Sequence, residues 1–219
     1  MNLDVNLGED INGVNITSDL KKENIHFIIL VGSTGSGKSV FHYYLYHQLI
    51  KQNSPSELGF IFYDTTRVDF AGWKSPYLID YEPDADVALE KFERLANNPS
   101  DRCVFVHIEE MEMLRAGAER FEKALAKNLK ENRNLFIVFS TSRPGPDIIT
   151  PKIKKLTDLM LVFNLTSRED SEYVLGESFT ENFSDPGERV AVFKHKRNRL
   201  KPFSAKEAEA SQDYFYPKN

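Results

Sequence analysis

Residues Gly32 to Ser39 read GSTGSGKS and fill every fixed position of the pattern G-x-x-x-x-G-K-[ST]. The residue types define the chemistry. Glycines let successive backbone N–H groups turn inward around an anion, and a helix beginning at the lysine adds the positive end of its dipole. Gly32, Ser33, Thr34, Gly35, Ser36, Gly37, Lys38, Ser39 and Val40 are therefore the expected cradle for ATP. Lys38 is expected to reach the β- and γ-phosphates, and the Ser39 hydroxyl to ligate Mg2+. A second acidic feature ends the apolar run Val104-Phe105-Val106-His107-Ile108, where Glu109 and Glu110 follow in succession. Phosphoryl transfer to water needs one acid behind the metal and one to polarise the attacking water. Glu109 takes the metal role in this reading and Glu110 the catalytic one. The bland alternative is a pair of glutamates opening a surface helix. His107, between apolar neighbours, reads as a core histidine with partners, and no His, Cys, Asp and Glu set has metal-cage spacing.

Positioning this chemistry requires a strand before the glycines and a helix after them, and both patterns are present. Ile25 to Val31 is an apolar run of strand length, and Val40 to Gln52 carries apolar residues at helical spacing. Further strands are expected at 58–64, 102–109, 134–141 and 158–165, with a last one at 189–193. Helices are expected at 38–52, 84–97, 116–132 and 169–176, and a shorter one near 148–156. This alternation implies βαβ units, hence an α/β domain with a mostly parallel central sheet flanked by helices. The nearly continuous apolarity of 104–108 and 135–139 fits strands covered on both faces. Residues 1–24 are polar and turn-rich, a hairpin or lead-in segment. The main domain is expected over 25–205, and 206–219 reads as a polar tail.

Composition narrows the classes. The chain has 219 residues, 41% of them hydrophobic, which suits one large globular domain. Its single cysteine, Cys103, admits no internal disulfide, so a reducing, cytoplasmic setting is expected. No apolar run reaches the roughly 18 residues of a membrane-spanning helix, so any membrane tether would lie in a segment this chain does not carry. The net charge of −5 argues against a wholly basic nucleic-acid coat but leaves room for a local patch.

Several stretches, taken in order, resemble the motor domain of the FtsK/SpoIIIE family, DNA translocases among the P-loop ATPases of the FtsK-HerA type. LGEDINGVNITSDL resembles the family's lead-in, and FIFYDTTRVDF with Pro76-Tyr77-Leu78 its second strand and following loop. VFVHIEEMEML resembles its Walker B strand, with Glu112 as a third acid. FIVFSTSRPGPDIITPKIKK resembles its most distinctive stretch, and LVFNLTSREDSEYVLGE the strand and helix after it. The P-loop alone is specific only to nucleotide binding, whereas this ordered set is specific to the family.

The resemblance implies a RecA-like fold and an ATP-driven motor that moves double-stranded DNA through a ring, most often a hexamer. It places Thr141 near the γ-phosphate as a sensor and Arg143 beside the nucleotide or a neighbouring subunit, with Arg168 as a second candidate for an arginine acting across an interface. Phosphate-gripping channel residues are sought in Arg115-Ala116-Gly117-Ala118-Glu119-Arg120, read as a loop, against an ordinary helix start. Lys194 to Lys201 holds five cations in eight residues, with a solvated hairpin tip as its default reading. Departures from the family pattern are Glu109 for aspartate, Thr66 where a lysine is usual, Ser142 for glutamine and Glu131 for arginine. The family's other motor subdomain and its winged-helix domain do not fit in 219 residues, so a minimal motor or an excised core is expected. A protein-secretion ATPase of the same family and a weakly hydrolysing nucleotide-binding scaffold stand as alternatives.

Overall fold

Side chains in the central strands alternate between two apolar layers, and that period-two pattern organises the molecule. The computed structural model describes residues 1–110, 113–177, 183, 185, 187–193, 196–202, 207, 210–211 and 214–215; at 113–116 and 196–197 the backbone alone is described. A hairpin, β1 (Asp4–Glu9) and β2 (Asn15–Asp19), precedes β3 (Phe27–Val31) and α1 (Lys38–Gln52). Next come β4 (Leu58–Asp64), β5 (Leu78–Glu82), α2 (Ala85–Leu95), β6 (Cys103–Glu109) and α3 (Met113–Glu131). The chain continues through β7 (Leu135–Thr141), α4 (Pro151–Leu156), β8 (Leu159–Phe163), α5 (Arg168–Leu175), β9 (Arg189–Phe193) and β10 (Lys196–Leu200).

Eight strands form one sheet in the order β10-β9-β8-β3-β7-β6-β4-β5. Pairings from β8 through β5 are parallel, and β9 and β10 close one edge antiparallel. The α/β expectation therefore holds. Phe27, Ile29 and Val31 point to one face with Val106, Ile137 and Phe121 of α3. Ile28 and Leu30 point to the other, where Phe41, Leu45 and Leu49 of α1 pack, together with Val5 and Leu7 of the hairpin. β5 is not among the expected strands. Asp80 and Glu82 interrupt its apolar pattern, which an edge strand tolerates because one side stays wet.

Two segments differ from their reading. The helix expected over 116–132 runs from 113 to 131, so Arg115 to Arg120 take the helix-start alternative and not the channel-loop reading, with non-helical backbone only at Gly117. That glycine serves a close helix crossing: a Cβ there would meet Leu89 Cδ2 of α2 at 2.7 Å. Lys196 to Leu200 pair with β9 as a strand, while Lys194 and His195 lie outside the described residues. Arg199 bonds Glu188 at 3.1 Å and Lys201 bonds Glu9 at 2.9 Å, so these cations have acidic partners. In the stretch read as a polar tail, Phe215 is buried against Trp73, ring centres 5.0 Å apart.

The buried Arg189 fastens the sheet edge to the hairpin. Its guanidinium donates to the carbonyls of Leu7, Gly187 and Lys201 and lies over the Phe41 and Phe163 rings. Burial pulls its pKa down to about 9. No helix among the described residues is long and apolar enough to cross a membrane.

Candidate nucleotide site

The glycine-rich loop leaves β3 at the middle of the sheet, where strands on both sides run parallel and their carboxyl ends share one edge. Its first residue is fixed by space: a Cβ on Gly32 would meet Phe163 Cβ at 2.7 Å. Gly37, at φ 101°, turns the chain through the left-handed region and caps α1, whose first turn holds no acidic side chain. The loop is pinned from outside. Ser33 donates its N–H and its hydroxyl to the Asn164 carbonyl at 2.8 and 2.9 Å, and Gly187 N–H donates to the Ser36 carbonyl at 2.8 Å. Thr34 and Ser33 line a cleft of about 690 Å3 shared with Ser142, Arg143, Asp147 and Asp170.

Three polar groups of the loop face the work expected of it. Lys38 is buried, and its ammonium donates to the carbonyls of Gly32 at 2.6 Å and Ser33 at 3.3 Å. Burial pulls its pKa below the ordinary value, opposed by the carboxylates of Glu110, Glu109 and Asp69. Ser36 is buried with a hydroxyl that has no hydrogen-bond partner among the described residues. A buried donor without an acceptor is costly, and a phosphate oxygen would satisfy it. The donor set thus fits a nucleoside triphosphate. Ser39 donates its hydroxyl to Asp69 Oδ2 at 3.2 Å, and Val40 follows in the first turn of α1.

Glu109 ends β6 and Glu110 follows it at the same edge, yet their carboxylates go different ways. Glu109 is buried, and its Oε2 lies 2.6 Å from His107 Nε2 and accepts a bond from the Ser140 hydroxyl. The Tyr46 hydroxyl is 2.6 Å from His107 Nδ1, which completes a buried chain and gives His107 its two partners. With the proton on Nε2, His107 donates to Glu109 and accepts from Tyr46. Glu110 sits at φ 43°, a left-handed conformation rare for a glutamate. It is held there by Thr65, whose hydroxyl donates to its carbonyl at 3.1 Å, and by Ser142, whose N–H donates to its Oε2 at 3.1 Å.

β7 brings the STSRP turn to this edge. Thr141 is buried, and its hydroxyl accepts the Arg143 N–H at 3.1 Å, so the side chain shapes the turn. Arg143 itself is exposed and lines the cleft. Arg168, at the start of α5, pairs with Glu172 at 2.8 Å. Glu112 lies outside the described residues.

The residue that the sequence reading misses is Asp69. It is 8% exposed, and Tyr43 donates its hydroxyl to Asp69 Oδ1 at 3.0 Å and to its carbonyl at 2.8 Å. Burial, then the charge of Glu109, push its carboxyl up to about 6, while the Tyr43 and Ser39 hydroxyls oppose the shift. An acid five residues past a strand carries no motif; only the folded loop brings it to Ser39.

The family model of the FtsK/SpoIIIE family matches residues 1–164. A DNA translocase FtsK of Leptospira interrogans is 22% identical over 223 residues, covering 85% of this chain and 23% of the relative. The DNA translocase SftA of Bacillus subtilis is 24% identical, covering 84% of this chain and 23% of that protein. This chain thus spans about a quarter of the length of the curated relatives it matches. Among solved structures, the pCW3 conjugation coupling protein TcpA, a monomer form with ATPγS, superposes with a TM-score of 0.77 at 20% identity, over 93% of this chain and 66% of that one. The cytoplasmic domain of the Thermomonospora curvata type VII secretion ATPase EccC gives 0.75 at 17% identity, over 97% and 31%. The chain belongs to the FtsK/SpoIIIE family, and its fold is that of the P-loop ATPases.

Proposed function

From that membership, we propose that this chain is the ATP-hydrolysing motor of a ring-forming translocase that moves along double-stranded DNA. The observation that carries the reading is the convergence of the P-loop, Glu110 and Arg143 at one edge of the sheet. Lys38 and the loop N–H groups hold the phosphates of ATP, and Ser39 offers its hydroxyl oxygen to the metal. Ser39 would hold Mg2+ there, and the ion would supply positive charge against that developing on the phosphates. Glu110 orients the attacking water and accepts its proton. Its hydrogen bonds support that role, since Thr65 holds its backbone carbonyl and Ser142 its carboxylate. Thr141 places the turn against the nucleotide. Arg143, exposed on the cleft, is placed to act on nucleotide held here or across a subunit interface in a hexameric ring.

Duplex DNA as the substrate is supported by the family and by the curated relatives named DNA translocases. A protein-secretion ATPase is the second reading, favoured by the likeness to the EccC domain over nearly the whole chain. ATP hydrolysis measured with and without long duplex DNA separates them. Stimulation that disappears in Glu110→Gln supports the motor. Turnover indifferent to DNA moves the reading to protein transport, and tight ATP binding without turnover to a scaffold.

A further inference from the structure

Ser39 and Glu109 are the pair expected to hold the metal, but the carboxylate in contact with Ser39 comes from elsewhere. A serine that ligates a cation through oxygen must dispose of its proton, and a carboxylate accepting that hydrogen bond keeps the lone pairs turned to the metal. Asp69 Oδ2 accepts the Ser39 hydroxyl at 3.2 Å. Glu109 Oε2 is instead occupied by His107 and Ser140 within the buried layer.

The fold holds Asp69 in place from two directions. Tyr43 lies four residues after Ser39, on the same face of α1, and binds both the side chain and the backbone of Asp69. On the other side, Asp64 at the end of β4 accepts the Thr66 hydroxyl at 2.6 Å, the Arg67 N–H at 2.9 Å and the Phe70 N–H at 3.1 Å. Phe70, next to Asp69, stacks on Phe62 with ring centres 3.8 Å apart. The loop is thus wound around a buried carboxylate and anchored by an aromatic ring, with Asp69 between them. Around Lys38 stand three carboxylates, Glu110, Glu109 and Asp69, a surplus of negative charge that suits a divalent cation.

We propose that Asp69, delivered by the loop after β4, is the residue that positions Ser39 and supports the nucleotide-bound divalent cation, and that Glu109 instead ties β6 to β7 and α1 through His107, Ser140 and Tyr46. The proposal rests on the ATP-binding reading of the same loop. It also gives a physical reason for tolerating glutamate at position 109: with the metal duty on another loop, the longer side chain is free to reach the interior.

The test is binding, not turnover. Affinity of the full chain for a fluorescent, slowly hydrolysed ATP analogue is measured with Mg2+ and with EDTA, for the wild type, Asp69→Asn, Tyr43→Phe and Glu109→Gln, with circular dichroism and thermal melts on each. We expect Mg2+ to tighten wild-type binding about tenfold or more. Asp69→Asn should lose that gain while keeping its EDTA affinity, Tyr43→Phe should lose part of it, and Glu109→Gln should keep it while melting earlier. Loss of the gain in Glu109→Gln with retention in Asp69→Asn overturns the proposal, as does a wild type that binds equally with and without Mg2+. If Asp69→Asn does not fold, Tyr43→Phe decides, since an undiminished gain there counts against the proposal. A folded wild type that binds no nucleotide overturns the ATP reading itself, a result distinct from either.

Discussion

The Ser142 N–H donates to Glu110 Oε2 at 3.1 Å, so the acid just past β6 is aimed by the turn just past β7. This bond fixes one carboxylate oxygen and leaves the other for water. Glutamine at position 110 keeps an oxygen for Ser142 but cannot take a proton. Glu110→Gln is therefore expected to bind ATP within a few-fold of wild type and to lose about 10²- to 10⁴-fold in kcat, the usual worth of a general base. Steady-state hydrolysis alongside equilibrium binding reads both quantities. An unchanged kcat would remove Glu110 from the reaction.

The buried chain from Tyr46 through His107 and Glu109 to Ser140 is expected to behave as one unit. Tyr46→Phe leaves His107 Nδ1 without its partner in a fully buried setting. Leaving a buried polar group unsatisfied costs about 1–3 kcal/mol. Ser140→Ala removes a donor to Glu109 at the far end of the same chain. Networked residues couple by about 0.5–3 kcal/mol, so urea unfolding of the two single variants and the double variant should show non-additivity. Strict additivity would mean that the hydrogen bonds do not act together.

The same residues show where the sequence is legible and where it is not. The apolar runs of β3, β4, β6 and β7 are buried along their whole length, so local composition alone marks them. The P-loop is legible because its spacing must satisfy backbone geometry within a single turn. Asp69 and the half-wet β5 are not, because their roles depend on partners distant in the chain: Asp69 on Ser39, thirty residues earlier, and β5 on β4. Gly117 shows the same limit in reverse. The glycine reads as part of a loop, whereas it lies within α3 and faces Leu89 Cδ2 of α2 across a helix crossing.

Arg189 should be irreplaceable by lysine. The planar guanidinium reaches three carbonyls on separate segments, whereas a lysine ammonium is a single point on a flexible stem. Both variants are expected to lose on the order of 2–3 kcal/mol: Arg189→Lys keeps a buried charge but not the fork, and Arg189→Met relieves the buried charge while leaving the three carbonyls without their donor. Chemical denaturation gives the comparison. A lysine variant as stable as wild type would show that charge, not the fork, holds the hairpin to the sheet edge.

Arg120 distinguishes a DNA contact from a structural one. It lies in the stretch expected to grip phosphate, but its guanidinium forms a two-point bond with Glu93 of α2, at 3.0 and 2.8 Å. Held by both its Nε and Nη2 to Glu93, the guanidinium is turned towards α2, although an exposed pair of this kind is worth only about 0–1 kcal/mol. Arg120→Ala is accordingly expected to leave DNA-stimulated hydrolysis within about twofold of wild type and the salt dependence of DNA binding unchanged. A residue that contacts phosphate would instead lower the slope of log K against log salt by about 1 when removed. Glu93→Ala supplies the converse test: freed of its partner, Arg120 should strengthen binding to duplex DNA at low salt if it faces the channel, and leave it unaltered if it faces away.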